Sequence, residues 1–287
     1  MPHQGQDPSN VPPIDDWNRL LDDRVAVVTG GAAGIGGAIA SLFAQHGARV
    51  EIADVDSEKA RFKLEEITDA GGVARVHVVD VTTEQGVERL VGEVLGEHGR
   101  IDVLVNNVGD YRPLVPFRRS SMESWTSMYQ LNLLHVIAVT RAFIDPMIEQ
   151  RRGVIVNVHS VEGMRGYPSD PVYGAMKAAV AHFTTCLAVQ VGRYGIRVNG
   201  VGPDLTQTAQ VDYLSGYEDA DHLWESWAPV GRLGWPEDQA RVALFLASDL
   251  GSFVTGHNIP VDGGTKAGGG WFYSPSERRY VSRPRGL

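Results

Sequence analysis

The sequence predicts an α/β fold, a doubly wound parallel sheet of about seven strands with helices on both faces. Three observations predict it. Short β-rich runs alternate with stretches of helical periodicity between residues 24 and 261, the pattern of parallel strands joined by crossover helices. A glycine cluster, Thr29-Gly30-Gly31-Ala32-Ala33-Gly34-Ile35-Gly36, falls between the first run and the first helical stretch. Asp54 closes the second run, roughly two dozen positions after Gly30.

The elements follow in order. Residues 25–29 read as the first strand, and 36–47 as a helix with Ile39, Leu42 and Phe43 at helical spacing and a glycine stop. Strands are expected at 50–53, 73–79, 103–105, 154–158, 197–201 and 258–261. Helices are expected at 57–70, 83–97, 122–149, 172–194 and 236–248, the third of these bent or stopped near Pro146. One domain over 22–265 is therefore expected, with a flexible arm over 1–21 and a substrate-covering loop over 205–231. The tail over 266–287 is glycine-rich, then aromatic and arginine-rich. It reads either as a surface-draped end or as an arm docking on a neighbouring subunit.

Composition narrows the function classes. Of 287 residues, 43% are hydrophobic and 21% charged, so the chain can bury a full core. The net charge of -9 disfavours a nucleic-acid partner, because phosphate backbones want a basic face. A single cysteine, Cys186, excludes a disulfide scaffold; its apolar helical setting predicts core packing. No uninterrupted apolar run approaches the roughly 20 residues that cross a bilayer, and the polar, proline-rich start does not read as a secretion signal. A cytoplasmic location with no membrane partner is expected. His46, His77 and His98 show no metal-ligand spacing, so no metal is expected, and His159 reads as structural.

The glycine cluster lets the backbone turn tightly and approach a pyrophosphate, which the next helix meets with free N–H groups. Gly30, Ala33, Gly34, Ile35 and Gly36 are the residues placed to do so. Asp54, followed by Val55, can hydrogen-bond both hydroxyls of an adenosine ribose and would repel a 2′-phosphate, which favours NAD over NADP. Tyr173 and Lys177 are four apart and share a helix face. An ammonium beside a phenol lowers its pKa from near 10, making it a workable general acid and base. Ser160 follows the 154–158 strand at a carboxyl end, where such sheets bind ligands. The thirteen positions from Ser160 to Tyr173 allow both hydroxyls to meet one carbonyl oxygen.

Together with Asp80-Val81, Asn106-Asn107-Val108-Gly109, Asn132 and Pro203 to Thr208, these motifs resemble the short-chain dehydrogenase/reductase family over about residues 22–265. The resemblance implies a single-domain Rossmann fold and an NAD-dependent enzyme acting on CH-OH groups. It implies that Asp80 and Val81 hold the adenine, and that Asn107 and Gly109 line the adenosine. It further implies that Asn132 holds a proton-relay water, Ser160 orients the substrate oxygen and Tyr173 exchanges its proton. Lys177 would also bind the nicotinamide ribose, and Thr208 the carboxamide. A homotetramer through the helices near 122–149 and 172–194 is implied as well. Two departures stand out: Val108 where the family has alanine, and Asp204 where it has glycine after Pro203. Aspartate tolerates left-handed backbone better than most residues.

The substrate pocket is expected from the segments after Gly109, Ser160 and Pro203. They offer Tyr111, Glu162 and Tyr167, and then Leu205, Tyr213, Tyr217, Trp224 and Trp227. The aromatics read as substrate lining or as lid packing. Arg112 reads either as a partner for an acidic substrate group or as solvated. A secondary alcohol or ketone on a hydrophobic frame suits this lining. Two alternatives are a 3-oxoacyl-thioester reductase of the acyl-carrier-protein type and a non-catalytic NAD-binding sensor. The first usually wants NADPH and a basic docking surface; the second needs none of the Asn132, Ser160, Tyr173 and Lys177 set.

Overall fold

All five residues of Val25–Thr29 (β1) are buried, as a strand covered on both faces requires. The computed structural model describes residues 11–215, 221–274 and 276–281. After β1 come α1 (Gly34–Gln45), β2 (Arg49–Asp54), α2 (Ser57–Asp69), β3 (Val73–Val78), α3 (Glu84–His98) and β4 (Val103–Asn106). The chain continues through α4 (Met122–Tyr129), α5 (His135–Glu149), β5 (Gly153–Val158), α6 (Pro171–Val191) and β6 (Ile196–Pro203). It ends with α7 (Asp221–Trp227), α8 (Pro236–Ala247), β7 (Asn258–Val261), α9 (Thr265–Gly268), β8 (Phe272–Ser274) and β9 (Arg279–Val281).

Strands β1 to β7 pair in parallel in the order β3-β2-β1-β4-β5-β6-β7. The order reverses between β1 and β4, the point at which open α/β sheets bind ligands beyond the carboxyl ends of their strands. Two apolar layers sandwich the sheet. One joins Ile39 and Phe43 of α1 to Leu246 of α8; the other joins Leu90 of α3, Phe143 and Met147 of α5 and Leu187 of α6. The expected doubly wound sheet is thus the observed one.

Several details differ from expectation. Leu21 is fully buried in the first apolar layer, and its N–H donates to the His46 carbonyl, so packing begins inside the expected arm. Residues 1–10 lie outside the described residues. Helix α1 starts two residues early, at Gly34. The long helix is interrupted at Gln130–Leu134, one π turn, rather than at Pro146. Pro146 lies in the last turn of α5, so few downstream hydrogen bonds are at stake and the helix runs on to Glu149. Cys186 is exposed, because it lies on the face of α6 turned away from the sheet. The segments Met122–Glu149 and Pro171–Tyr194 are long and apolar enough to cross a membrane by length and composition. Their inner faces pack on the sheet, and Ile137 and Val189 add exposed apolar surface outside. The tail forms the antiparallel hairpin β8–β9 against α7; residues 275 and 282–287 are not described.

Candidate active site

Glycines shape the loop from β1 to α1. Gly30 and Gly34 adopt left-handed backbone, with φ of 63° and 55°. A Cβ at Gly36 would stand 2.1 Å from the Gly30 carbonyl oxygen and 2.5 Å from Asn107 Nδ2. Ala33 is the N-cap of α1 and supplies no side-chain cap, so the helix offers its first N–H groups to an outside acceptor. That is the arrangement a pyrophosphate fits, with Ile35 half-buried in the first turn behind it. Thr208 arches over the same loop; its methyl lies 3.7 Å from where a Gly34 Cβ would be.

Asp54, at the end of β2, accepts from Ala32 N at 3.1 Å and Asp56 N at 3.0 Å, one on each carboxylate oxygen. Its remaining lone pairs suit two ribose hydroxyls, and the next residue, Val55, is exposed beside it. Val81 is buried, while Asp80 is exposed and accepts from Thr82 N and Oγ1 at 2.9 and 2.7 Å. Asn107 donates to the Thr29 and Gly30 carbonyls at 3.0 and 3.1 Å, tying the β4 end to the glycine loop.

Asn132 lies in the π turn, fully buried. Its Nδ2 donates to the Asp110 carbonyl at 2.8 Å, and its Oδ1 has no hydrogen-bond partner among the described residues. A π turn re-aims a side chain relative to an unbroken helix and commonly marks functional sites. A Cβ at Gly109 would lie 2.7 Å from Lys177 Nζ and 3.0 Å from Asn132 Oδ1, so glycine there leaves room for the two to converge. The orphaned Oδ1 facing an ammonium is where a bridging water fits.

Helix α6 presents Tyr173 and Lys177. Asp170 caps it, accepting from Val172 N at 3.0 Å and Tyr173 N at 3.1 Å, with Pro171 in the first turn. Lys177 is buried, its Nζ 3.5 Å from the Val158 carbonyl and 5.8 Å from the Tyr173 ring centroid. Burial pulls its ammonium down to about 8, against Asp110, which raises it. Burial pushes the Tyr173 phenol well up, and the neighbouring Ser160 hydroxyl draws it back. Ser160 is itself buried and accepts from Glu162 N at 3.1 Å. His135 and His159 flank this group; burial pulls both imidazoles down to about 4, with Lys177 adding to the effect. Neutral rings there leave Lys177 as the cation of the inner site.

Tyr111 and Tyr167 meet the Tyr173 ring edge-on, at 6.2 and 5.9 Å between centroids. Above them Leu205, Tyr213, Trp224, Trp227 and Leu233 pack into a lid of their own. Tyr217 lies outside the described residues. Arg112 is exposed to solvent, the second of its two expected readings, and also pairs with Asp110 at 2.9 Å. The left-handed residue after Pro203 is Leu205, at φ 41°, rather than Asp204. Asp204 instead accepts from Leu205 N, Arg165 and Thr265.

Four further groups at the site escape the motif reading. Asp170 carries a legible signal, an N-cap residue before proline. Thr265 and Gln210, whose Nε2 donates to the Gly109 carbonyl at 3.1 Å, are joined to the site by long-range contacts, and Arg165 by one to Asp204 and a local one to Glu162.

Residues 30–266 match a family model described as Enoyl-(Acyl carrier protein) reductase. The chain is 40% identical over 248 residues to the 3-oxoacyl-[acyl-carrier-protein] reductase FabG of Chlamydia muridarum, covering 86% of this chain and 99% of that protein. It is 36% identical to the cyclopentanol dehydrogenase of a Comamonas species, covering 86% and 98%. The solved 7α-hydroxysteroid dehydrogenase, complexed with NADH and 7-oxo glycochenodeoxycholic acid, superposes with a TM-score of 0.81 at 32% identity, covering 88% of this chain and 98% of that one. With the strand order, the glycine loop and the Ser160–Tyr173–Lys177 grouping already established, these matches show that the chain belongs to the short-chain dehydrogenase/reductase family of oxidoreductases.

Proposed function

We propose that this protein is an NAD-dependent oxidoreductase interconverting a secondary alcohol and its ketone, with Tyr173 as general acid and base. The observation that carries the reading is the convergence of Ser160, Tyr173, Lys177 and Asn132 under an aromatic pocket beside the β1–α1 glycine loop. A nicotinamide held by Lys177 and Thr208 would supply the hydride acceptor and donor for the carbinol carbon. Ser160 holds the substrate oxygen. In oxidation the Tyr173 phenolate removes the O–H proton as the carbonyl forms; in reduction the phenol returns it. The Ser160 hydroxyl offsets part of the penalty that burial imposes on the phenolate, and the Lys177 ammonium, 5.8 Å from the ring centroid, is assigned the rest. Asn132 Oδ1 receives the water through which Lys177 exchanges protons with solvent.

Gly30, Ala33, Gly34, Ile35 and Gly36 would hold the pyrophosphate, and Asp54 and Val55 the adenosine ribose. Asp80, Val81, Asn107 and Gly109 would line the adenine side, with Lys177 and Thr208 at the nicotinamide end. Asp54 supports NAD over NADP: its carboxylate oxygens keep lone pairs for the ribose hydroxyls, and its charge opposes a 2′-phosphate. A homotetramer and a cytoplasmic location belong to the same reading; the exposed Ile137 and Val189 on the two long helices support the first.

The 40% identity to the Chlamydia reductase favours a second reading, a 3-oxoacyl thioester as substrate. Fluorescence titration with NADH and NADPH, and turnover of a cyclic ketone against acetoacetyl thioester, separate the two. Tighter NADH binding with ketone turnover is expected; tighter NADPH binding would overturn the assignment to Asp54. Tyr173→Phe is expected to lose turnover by roughly 10²–10⁴-fold while NADH binding stays within about threefold. Turnover surviving in that variant would remove Tyr173 from the mechanism.

A further inference from the structure

We propose that Asp204, acting with Glu162 on Arg165, makes this site select uncharged alcohols and ketones against anionic ones. The inference rests on the alcohol–ketone reading above and names the substrate class within it.

Arg165 lies five positions after Ser160, on the segment that walls the pocket. Its Nη2 donates to Glu162 Oε1 at 2.7 Å and to Asp204 Oδ2 at 2.8 Å, and its Nε reaches Glu162 Oε2 at 3.3 Å. The guanidinium fork that would otherwise grip a substrate carboxylate is thus taken up by two carboxylates of the protein. Glu162 is fixed close to the reacting centre: its N–H donates to Ser160 Oγ, and its carbonyl oxygen lies 3.1 Å from where a Gly174 Cβ would stand. Asp204 comes from the opposite wall, directly after β6. Leu205 N at 2.9 Å and Thr265 Oγ1 at 2.6 Å hold it in place.

The side chains of Glu162 and Asp204 are 15% and 11% exposed, so solvent screens them weakly. Across the pocket Arg112 is occupied in the same way by Asp110, at 2.9 Å. Three carboxylates therefore face two guanidiniums, each of which is already ion-paired. Lys177 is buried below Tyr173 and engaged with the Val158 carbonyl. An anionic substrate entering here would lose its hydration and find each outer cation paired, which is costly. A neutral cyclic ketone loses little and packs on Tyr111 and Tyr167. Glycine at 204, the family residue, would leave one side of Arg165 open to a substrate carboxylate.

The experiment measures kcat/KM of the full-length enzyme with NADH for cyclohexanone and for 4-oxocyclohexanecarboxylate, in wild type and Asp204→Asn. Wild type is expected to favour the neutral ketone. Asp204→Asn is expected to raise the carboxylate-to-neutral ratio of kcat/KM at least roughly tenfold. Thr265→Val, which removes a hydrogen bond to Asp204 but no charge, should move that ratio less than about threefold. If Asp204→Asn no longer binds NADH and is misfolded, Glu162→Gln carries the same expected rise. A wild type that prefers the carboxylate, or an active variant with an unchanged ratio, overturns this inference alone. A wild type inactive on both ketones overturns the alcohol–ketone reading, and the inference falls with it.

Discussion

Lys177 shows how function and stability oppose each other at a single residue. Burial lowers its pKa from the ordinary 10.5 to about 8. The folded state therefore binds the proton more weakly than the unfolded chain. Stability rises with pH between those two values, and below pH 8 the full penalty of burying the ammonium is present. The difference corresponds to about 3 kcal/mol. Lys177→Met keeps the aliphatic stem and removes the charge, so at pH 7 its melting temperature should exceed that of wild type. Its turnover should fall by roughly 10²–10⁴-fold. The excess should shrink as the pH approaches 10. A variant that melts below wild type at pH 7 would show that Lys177 stabilises the fold rather than straining it.

At the scale of elements, β2, β3 and α3 are joined by a buried acid–imidazole chain. Glu51 Oε2 meets His77 Nε2 at 2.5 Å, its Oε1 meets His98 Nε2 at 2.6 Å, and His77 Nδ1 meets Glu93 Oε2 at 2.6 Å. Arg89 pairs with Glu93 from outside. Burial alone would lower the His77 pKa, but the two carboxylates win and raise it; burial would raise Glu51, but the two imidazoles win and lower it. Arg89 and then His77 lower Glu93. The signs define a window. The His77 contribution is complete below its unfolded value of 6.5 and is lost as pH rises through the higher folded value. The Glu51 and Glu93 contributions are complete above 4.5 and are lost as pH falls through their lower folded values. The melting-temperature gap between wild type and His77→Gln should therefore be larger at pH 6 than at pH 8.5. Glu93→Gln, at the partly exposed end of the chain, should show the same trend more weakly. A gap independent of pH would mean that the cluster holds shape without holding charge. None of this chain is legible in the sequence, where its members are 26, 16 and 47 positions apart. The glycine loop, the Tyr173–Lys177 spacing and the Asp170-Pro171 cap are legible because each acts within one turn or one helix. The π turn that buries Asn132, the outward face of Cys186 and the seating of Leu21 depend on which partner an element packs against. Asp204 likewise reads as a lost glycine until Arg165 and Thr265 are placed beside it.

Across the whole molecule, the carboxyl-terminal segment closes the site that the amino-terminal half opens. The lid ends at residues 228–231, and there the chain after β7 is fitted against it. Val230 N donates to the Gly263 carbonyl at 3.2 Å. A Cβ on Gly263 would come within 2.9 Å of Val230, and one on Gly264 within 3.1 Å of Pro229. Asp262 fastens the turn by accepting from Gly264 N and Lys266 N at 2.9 and 2.8 Å, and Thr265 carries the connection to Asp204 at the pocket wall. The hairpin β8–β9 then lies against α7, the lid's own helix. The glycine loop and Asp54 stand at the other end of the site and share none of these contacts. Ending the chain after Gly264 removes the Thr265 hydrogen bond, worth about 1 kcal/mol, together with the hairpin support of α7. The lid should then sample open states more often, because the packing of β8 on α7 is lost. We expect KM for the ketone to rise roughly fivefold, the equivalent of that lost interaction. NADH affinity should stay within about twofold, since its phosphate and ribose contacts are untouched. Steady-state kinetics and NADH titration on the two chains measure both quantities. An unchanged KM, or a loss confined to NADH binding, would show that the tail covers the fold without shaping the substrate pocket.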